Sequence, residues 1–266
     1  MRTARLLCGV VTMFLAAAGA LAQATHQPDA AENSGQDPTQ PVTRVDLREK
    51  YQDNPDGAQA VTFTLRADKP FVLGGGWKLN TRIDLPVLAT SAVTPANPTG
   101  TSEWGVSDIL LQALAIAPIK GKTAFAFGTQ LIVPSGADVP YTTGKWQLVP
   151  TAAVIQQLPG ISRGTFIGLL VRDAFSFAGK KDRAGINVVS VQPLFNWQLP
   201  QAWFVTLGPE AKFDTRNNWK LFVPFDATIG KKLTPKSVAS LQIDAPLVEK
   251  YRQYDWQVEA RIGIFF

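Results

Sequence analysis

Cysteine and histidine are nearly absent from this chain: in 266 residues there is one of each, Cys8 and His26. Cys8 lies in an N-terminal apolar segment expected to be removed, so the exported form has no disulfide and no thiol chemistry. His26 falls only four residues past the expected cleavage point. A Ser–His nucleophile pair on the body of the chain is thereby excluded, as is a metal site built on His or Cys. No metal and no cofactor is expected, and the chain is not read as an enzyme, although carboxylate-only chemistry stays open. No second apolar run reaches 18 residues, so no helical membrane span is expected. No stretch beyond residue 42 shows a helical period with a cap.

The N-terminus has the parts of a secretory signal peptide. Arg2 and Arg5 precede the apolar stretch Leu6–Gly19, and Ala20-Leu21-Ala22 offers a small-residue cleavage site. Cys8 precedes most of the apolar run, which argues against a lipoprotein. Residues 1–22 are read as the signal. That segment holds two arginines and no acid, which leaves 24 basic against 21 acidic residues. So small an excess in an exported protein gives no case for a nucleic-acid partner. Residues 23–41 are polar, rich in Pro, Gln and Asp and without periodicity, and read as a disordered leader.

Residues 42–266 alternate with period two. In "WKLNTRIDLPV", Trp77, Leu79, Thr81, Ile83, Leu85 and Val87 share one face, and Lys78, Asn80, Arg82, Asp84 and Pro86 the other. The last stretch, "YDWQVEARIGIFF", does the same, with Phe265 as the exception. About twelve strands are read, at 43–51, 59–68, 75–87, 103–116, 122–133, 145–157, 164–177, 186–199, 202–212, 218–230, 236–245 and 253–266. Most are longer than the five or six residues usual in a soluble sheet, and match a tilted strand crossing a bilayer. Long polar connections alternate with short ones, as in outer-membrane barrels, where outer loops are long and periplasmic turns short. An all-β, antiparallel transmembrane β-barrel of about twelve strands is the expected fold. A soluble exported β-sandwich is the alternative, but offers no reason for that alternation.

The seven tryptophans lie near strand ends. Trp77, Trp197 and Trp203 are assigned to a periplasmic aromatic girdle, and Trp104, Trp146, Trp219 and Trp256 to an outer one. Phe266, on the lipid-facing parity after Ile262 and Ile264, resembles the C-terminal signal read by the barrel assembly machinery. On the opposite parity the candidate lumen acids are Asp84, Glu103, Asp108, Glu210, Asp226, Asp255 and Glu259, and the bases Arg66, Lys78, Arg82, Lys145, Arg172, Lys220 and Arg261. Mixed signs at close spacing suit ion pairs across a narrow lumen, or a narrow polar path. Asp108 breaks the local register and reads either as a rim acid or as a residue satisfying backbone groups at a bend near Gly105. "LGGGW" (Leu73–Trp77) lacks a following helix and reads as a turn. "GKKDR" (Gly179–Arg183) is a basic outer loop, either simply solvated or in contact with lipopolysaccharide.

Several stretches resemble the "MetA-pathway of phenol degradation" family. They are "EWGVSDILLQALAIAP" (Glu103–Pro118), "TGKWQLVPTAAV" (Thr143–Val154), "VRDAFSFAG" (Val171–Gly179) and "VSVQPLFNWQLPQAWFVTLGPE" (Val189–Glu210). Val149 and Ser107 stand where glycine is usual there, and Phe175 where tryptophan is. The resemblance implies a barrel in the bacterial outer membrane that moves small hydrophobic or aromatic compounds. A barrel that transports nothing and serves the envelope structurally, or through its loops, is the other reading.

Overall fold

The computed structural model describes residues 33–94, 97–251 and 253–266. The expected signal peptide, and residues 23–32 of the leader, lie outside them. Fourteen strands follow one another: β1 (Arg44–Asp53), β2 (Gln59–Val72), β3 (Lys78–Thr90), β4 (Glu103–Val106), β5 (Ile109–Ile116), β6 (Thr123–Val133), β7 (Lys145–Gln157), β8 (Phe166–Gly179), β9 (Asn187–Gln198), β10 (Trp203–Leu207), β11 (Ala211–Asp214), β12 (Lys220–Thr234), β13 (Ser237–Glu249) and β14 (Trp256–Phe265). Every pairing between them is antiparallel, and β1 pairs both β2 and β14, so the sheet closes. β4 and β5 both pair β3, and β10 and β11 both pair β9 and β12. Each of these couples forms one interrupted stave, and the wall is a closed barrel of twelve staves.

The interruptions have local causes. Between β4 and β5, the Tyr141 ring lies against Gly105, where a Cβ would stand 2.6 Å from Cδ1. The Asp108 carboxylate then accepts from the backbone N–H and hydroxyl of Thr143, at 3.0 and 2.8 Å. Between β10 and β11, Gly208 packs under Leu194 and its carbonyl accepts from Gln192 at 2.8 Å. A third irregularity lies between β12 and β13, where Pro224 faces Pro246 beside a register shift. Neither proline has an N–H, so this stretch of the seam lacks donors.

The alternation sorts residues as a barrel requires. Val45, Leu47, Leu65, Ile83, Leu85, Leu111, Phe125, Phe127, Ile167, Leu169, Val171, Phe225, Ile229, Leu241 and Ile243 are large, apolar and exposed on the outer face. Arg44, Asp46, Asp68, Asn80, Gln112, Ser190, Asn196, Asp244 and Arg261 are buried on the inner one. The inner face is not wholly polar. Phe204, Val238 and Phe265 form a cluster inside the end that carries Arg44 and Phe265. Phe265, the exception in the terminal alternation, thus points inward. Gly230 makes room for it all: a Cβ there would overlap the Phe204 ring. Gly230→Val is therefore expected to destabilise the barrel by about 1–3 kcal/mol through overpacking. The checking measurement is the urea midpoint of the heat-modifiable band on gels, and an unchanged midpoint would contradict it.

Residues 33–41, expected as part of a structureless leader, are folded. Ser34, Asp37 and Thr39 are buried. Asp37 accepts from the Thr39 backbone N–H (2.8 Å), the Thr39 hydroxyl (2.6 Å) and Gln40 Nε2 (3.1 Å). Asn33 brackets the segment, donating to the Gln40 carbonyl at 2.7 Å and accepting from Gly35 N–H at 2.8 Å. A composition this polar cannot build a core of its own, and it is ordered because the lumen wall supplies partners.

Candidate functional site

Three contacts fix the N-terminal segment. Arg44 Nη1 donates to the Gly35 carbonyl at 2.7 Å and Arg261 Nη2 to the Ser34 carbonyl at 3.1 Å. On the far side, Gln157 Nε2 donates to Asp37 Oδ2 at 2.6 Å. Arg44 and Arg261 stand on the neighbouring strands β1 and β14, whereas Gln157 ends β7. In the order of staves, β7 is diametrically opposite β14. The segment therefore crosses the lumen at the end where β1 begins and β14 ends.

Beyond it the barrel encloses a cavity of about 430 Å³. One wall is a network of buried ions. Asp46, 0% exposed, lies within 3.5 Å of Arg44 Nε and Arg261 Nε and 3.4 Å of Arg48 Nη2. Asp68 bridges Arg44 Nε (3.0 Å) and Arg82 Nε (2.9 Å), and accepts from Asn80 at 3.2 Å. Arg66 holds Asp84 through two nitrogens at 2.7 and 2.6 Å. Arg48 Nη1 meets Glu259 at 2.8 Å. Across the lumen, Arg172 meets Glu210 at 2.8 Å, and the Ser190 hydroxyl donates to the same carboxylate at 2.8 Å. Lys212 Nζ lies 3.6 Å from Glu210.

Seven of the candidate lumen residues are thus brought together: Arg66, Arg82, Asp84, Arg172, Glu210, Glu259 and Arg261. Asp226 is inside but apart from them, directly across the strand pair from Asp244, whose carboxylate accepts from Gln257 at 2.8 Å. The remainder lie elsewhere. Lys78, Glu103 and Lys220 are exposed at strand ends. Lys145 donates to the Lys180 carbonyl at 2.6 Å and ties two loops at the rim. Asp108 does similar work on Thr143, and Asp255 precedes β14 rather than standing within it. Asp46, Asp68, Arg44 and Arg48 were not among the candidates. The signal was present: "RVDLR" alternates Arg44, Asp46 and Arg48 with Val45 and Leu47, and Asp68 continues the face of Arg66.

The tryptophans all lie at or beside strand ends. Trp77, Trp197 and Trp203 are at the end carrying Arg44 and Phe265, and Trp104, Trp146, Trp219 and Trp256 at the other. Trp77 meets Phe127 edge-on with ring centroids 5.9 Å apart. Lys231 lies over the Trp203 ring, with Nζ 5.1 Å from its centroid. Trp256 instead packs on Tyr51, with centroids 5.0 Å apart. Phe266 is 75% exposed, its N–H bonded to the Thr43 carbonyl at 2.9 Å.

No family model and no curated protein matches the sequence. Solved structures do match. A COG4313 outer membrane channel from Pseudomonas putida F1 aligns with TM-score 0.70 and 16% identity over 91% of this chain and 100% of that one. The NanC porin aligns at 0.57 and 11% identity over 84% and 98% of the two chains. The KdgM porin aligns at 0.51 and 10% identity over 84% and 99%. At these identities the similarity is one of fold: a closed, antiparallel barrel of the kind found in outer-membrane channels and porins.

Proposed function

We propose that this chain is an outer-membrane channel for small, hydrophobic or aromatic compounds, exported by way of a cleaved N-terminal signal. The observation that carries it is the chamber of about 430 Å³ inside a barrel with an apolar outer face. That volume falls in the range of small-molecule sites. A bilayer accepts a sheet only when it is closed and lipid-facing residues are apolar, and both conditions hold. The fold likeness to structures named as an outer membrane channel and as porins points the same way. In this reading the end carrying Arg44 and Phe265 is periplasmic, and Phe266 is the mark read by the assembly machinery. Lys180 and Arg183, which contact Asp138, then belong to the outer loops, where they face lipopolysaccharide.

The dense ion-pair wall and the segment crossing the lumen favour a second reading, a closed barrel with a structural role in the envelope. Conductance of the refolded mature protein in a planar bilayer separates the two. A channel gives discrete openings that a neutral aromatic solute such as phenol interrupts. A barrel that folds, as judged by heat-modifiable mobility, yet stays silent and lets no solute swell liposomes is not a channel.

A further inference from the structure

The chamber has two unlike walls. On β1, β2, β3 and β14 stand Arg44, Arg48, Arg66, Arg82 and Arg261, with Asp46, Asp68, Asp84 and Glu259 between them. That is five guanidinium groups to four carboxylates. Across the lumen, Arg172 and Lys212 share the single carboxylate of Glu210. The leader brings Asp37 to the chamber, held by neutral donors from Thr39, Gln40 and Gln157, so its charge counts against the cations. Asp226 and Asp244 do not line the chamber. With Asp37 counted, seven cations stand against six carboxylates, a small excess of positive charge.

Spare donors accompany the spare charge. Arg82 spends Nε on Asp68, and its two terminal nitrogens make no hydrogen bond among the described residues. Arg66 spends Nε and Nη2 on Asp84 and has Nη1 over. A guanidinium presents its N–H groups as a planar fork that fits a carboxylate, and charge-assisted bonds of this kind are about twice as strong as neutral ones.

The opposite wall carries apolar groups beside Arg172, Gln192 and Glu210. Leu170 and Leu194 line the chamber from β8 and β9, staves that stand across the barrel from β1 and β2. Leu170 belongs to a buried cluster with Ile116, Ala126 and Ala153, on which Leu194 packs, so this wall is rigid. Leu110 lines the chamber too, but from β5, beside Asp84 on the arginine wall.

We infer that the chamber binds a small amphiphilic anion, its acidic head on the Arg82–Arg66 wall and its apolar body on Leu170 and Leu194 across the lumen. The inference rests on the channel reading and narrows its cargo from small hydrophobic compounds to those bearing one acidic group. An inorganic anion would leave the leucines unused, and a neutral compound would leave the excess guanidinium unpaired.

The test is calorimetric titration of the mature protein in non-ionic detergent at neutral pH with three probes: hexanoate, its neutral isostere hexanamide, and acetate. Hexanoate is expected to bind at least about tenfold more tightly than either of the others. Arg82→Gln and Arg66→Gln, checked by heat-modifiable mobility, are each expected to bring hexanoate to the level of hexanamide. Leu170→Asn is expected to weaken hexanoate and leave acetate unchanged. Hexanamide binding as well as hexanoate, acetate matching hexanoate, or full hexanoate affinity in both arginine variants overturns the inference. Conductance of the same preparation keeps the two proposals apart. A solute-interrupted channel without a preference for hexanoate defeats this inference alone, and a silent barrel that still prefers hexanoate defeats the channel reading alone.

Discussion

Deleting residues 23–41 is expected to raise single-channel conductance several-fold and to lengthen openings, while the barrel still folds. Residues 34–37 span the lumen between Arg44 and Arg261 on one side and Gln157 on the other. No wall strand depends on the segment for its pairing, since β1 begins at Arg44 and finds both neighbours without it. A chain crossing a pore this narrow removes most of its free cross-section, so removing the chain should dominate any other change. Gln157→Ala supplies the graded control. It releases the far anchor alone, leaves the arginine contacts in place, and is expected to give flickering between the parental and the deleted conductance levels. Equal conductance in the full-length and deleted proteins, both shown to be folded, would mean that the constriction lies elsewhere in the ion-pair network.

That crossing segment is also the clearest case of what the sequence hides. Its composition is that of a disordered tail, and by local rules it is one. Its order comes from a wall amide 120 positions away in the chain, Gln157 to Asp37, and from two arginines whose role depends on barrel closure. Nothing local to residues 33–41 encodes those partners. By contrast, the strands and their faces were legible, because period-two alternation is a local property. Arg82 and Asp84 in "WKLNTRIDLPV" face inward as their parity requires, and Leu85 and Val87 outward. Parity fixes the face of a residue but not its height along the barrel axis. Lys78 and Lys220 share the lumen parity of their strands yet sit at strand ends, exposed. Phe222 shows the converse. It is apolar on the polar parity, and the structure buries it wholly inside, edge-on to Tyr254 with centroids 5.1 Å apart. The cross-strand pairing of charges was also beyond local reading. Arg66 meets Asp84 because β2 and β3 pair them in register, an offset set by the turn at Gly74–Gly76.

Asp46→Asn is expected to be the most damaging single substitution in the wall, lowering unfolding free energy by about 3–5 kcal/mol. Three guanidinium groups converge on this one carboxylate, from Arg44, Arg48 and Arg261, and it is sealed from solvent. Taking the charge away leaves three cations near one another with Asp68 and Glu259 as the remaining nearby anions. An uncompensated buried charge costs more than the pair it came from ever supplied. Asp46 Oδ1 also occupies the space that a Cβ at Gly263 would take, so glycine is what lets the carboxylate sit there. The measurement is urea unfolding in detergent micelles, followed by the heat-modifiable band. The double variant Asp46→Asn with Arg261→Met is expected to recover part of the loss, because it removes one of the stranded cations and puts an apolar group of similar length in its place. A loss below about 1 kcal/mol for Asp46→Asn would be the size of a surface ion pair. It would mean that water reaches the arginine wall freely, and that a wet, permeable lumen, rather than a sealed network, is what the mixed charges serve.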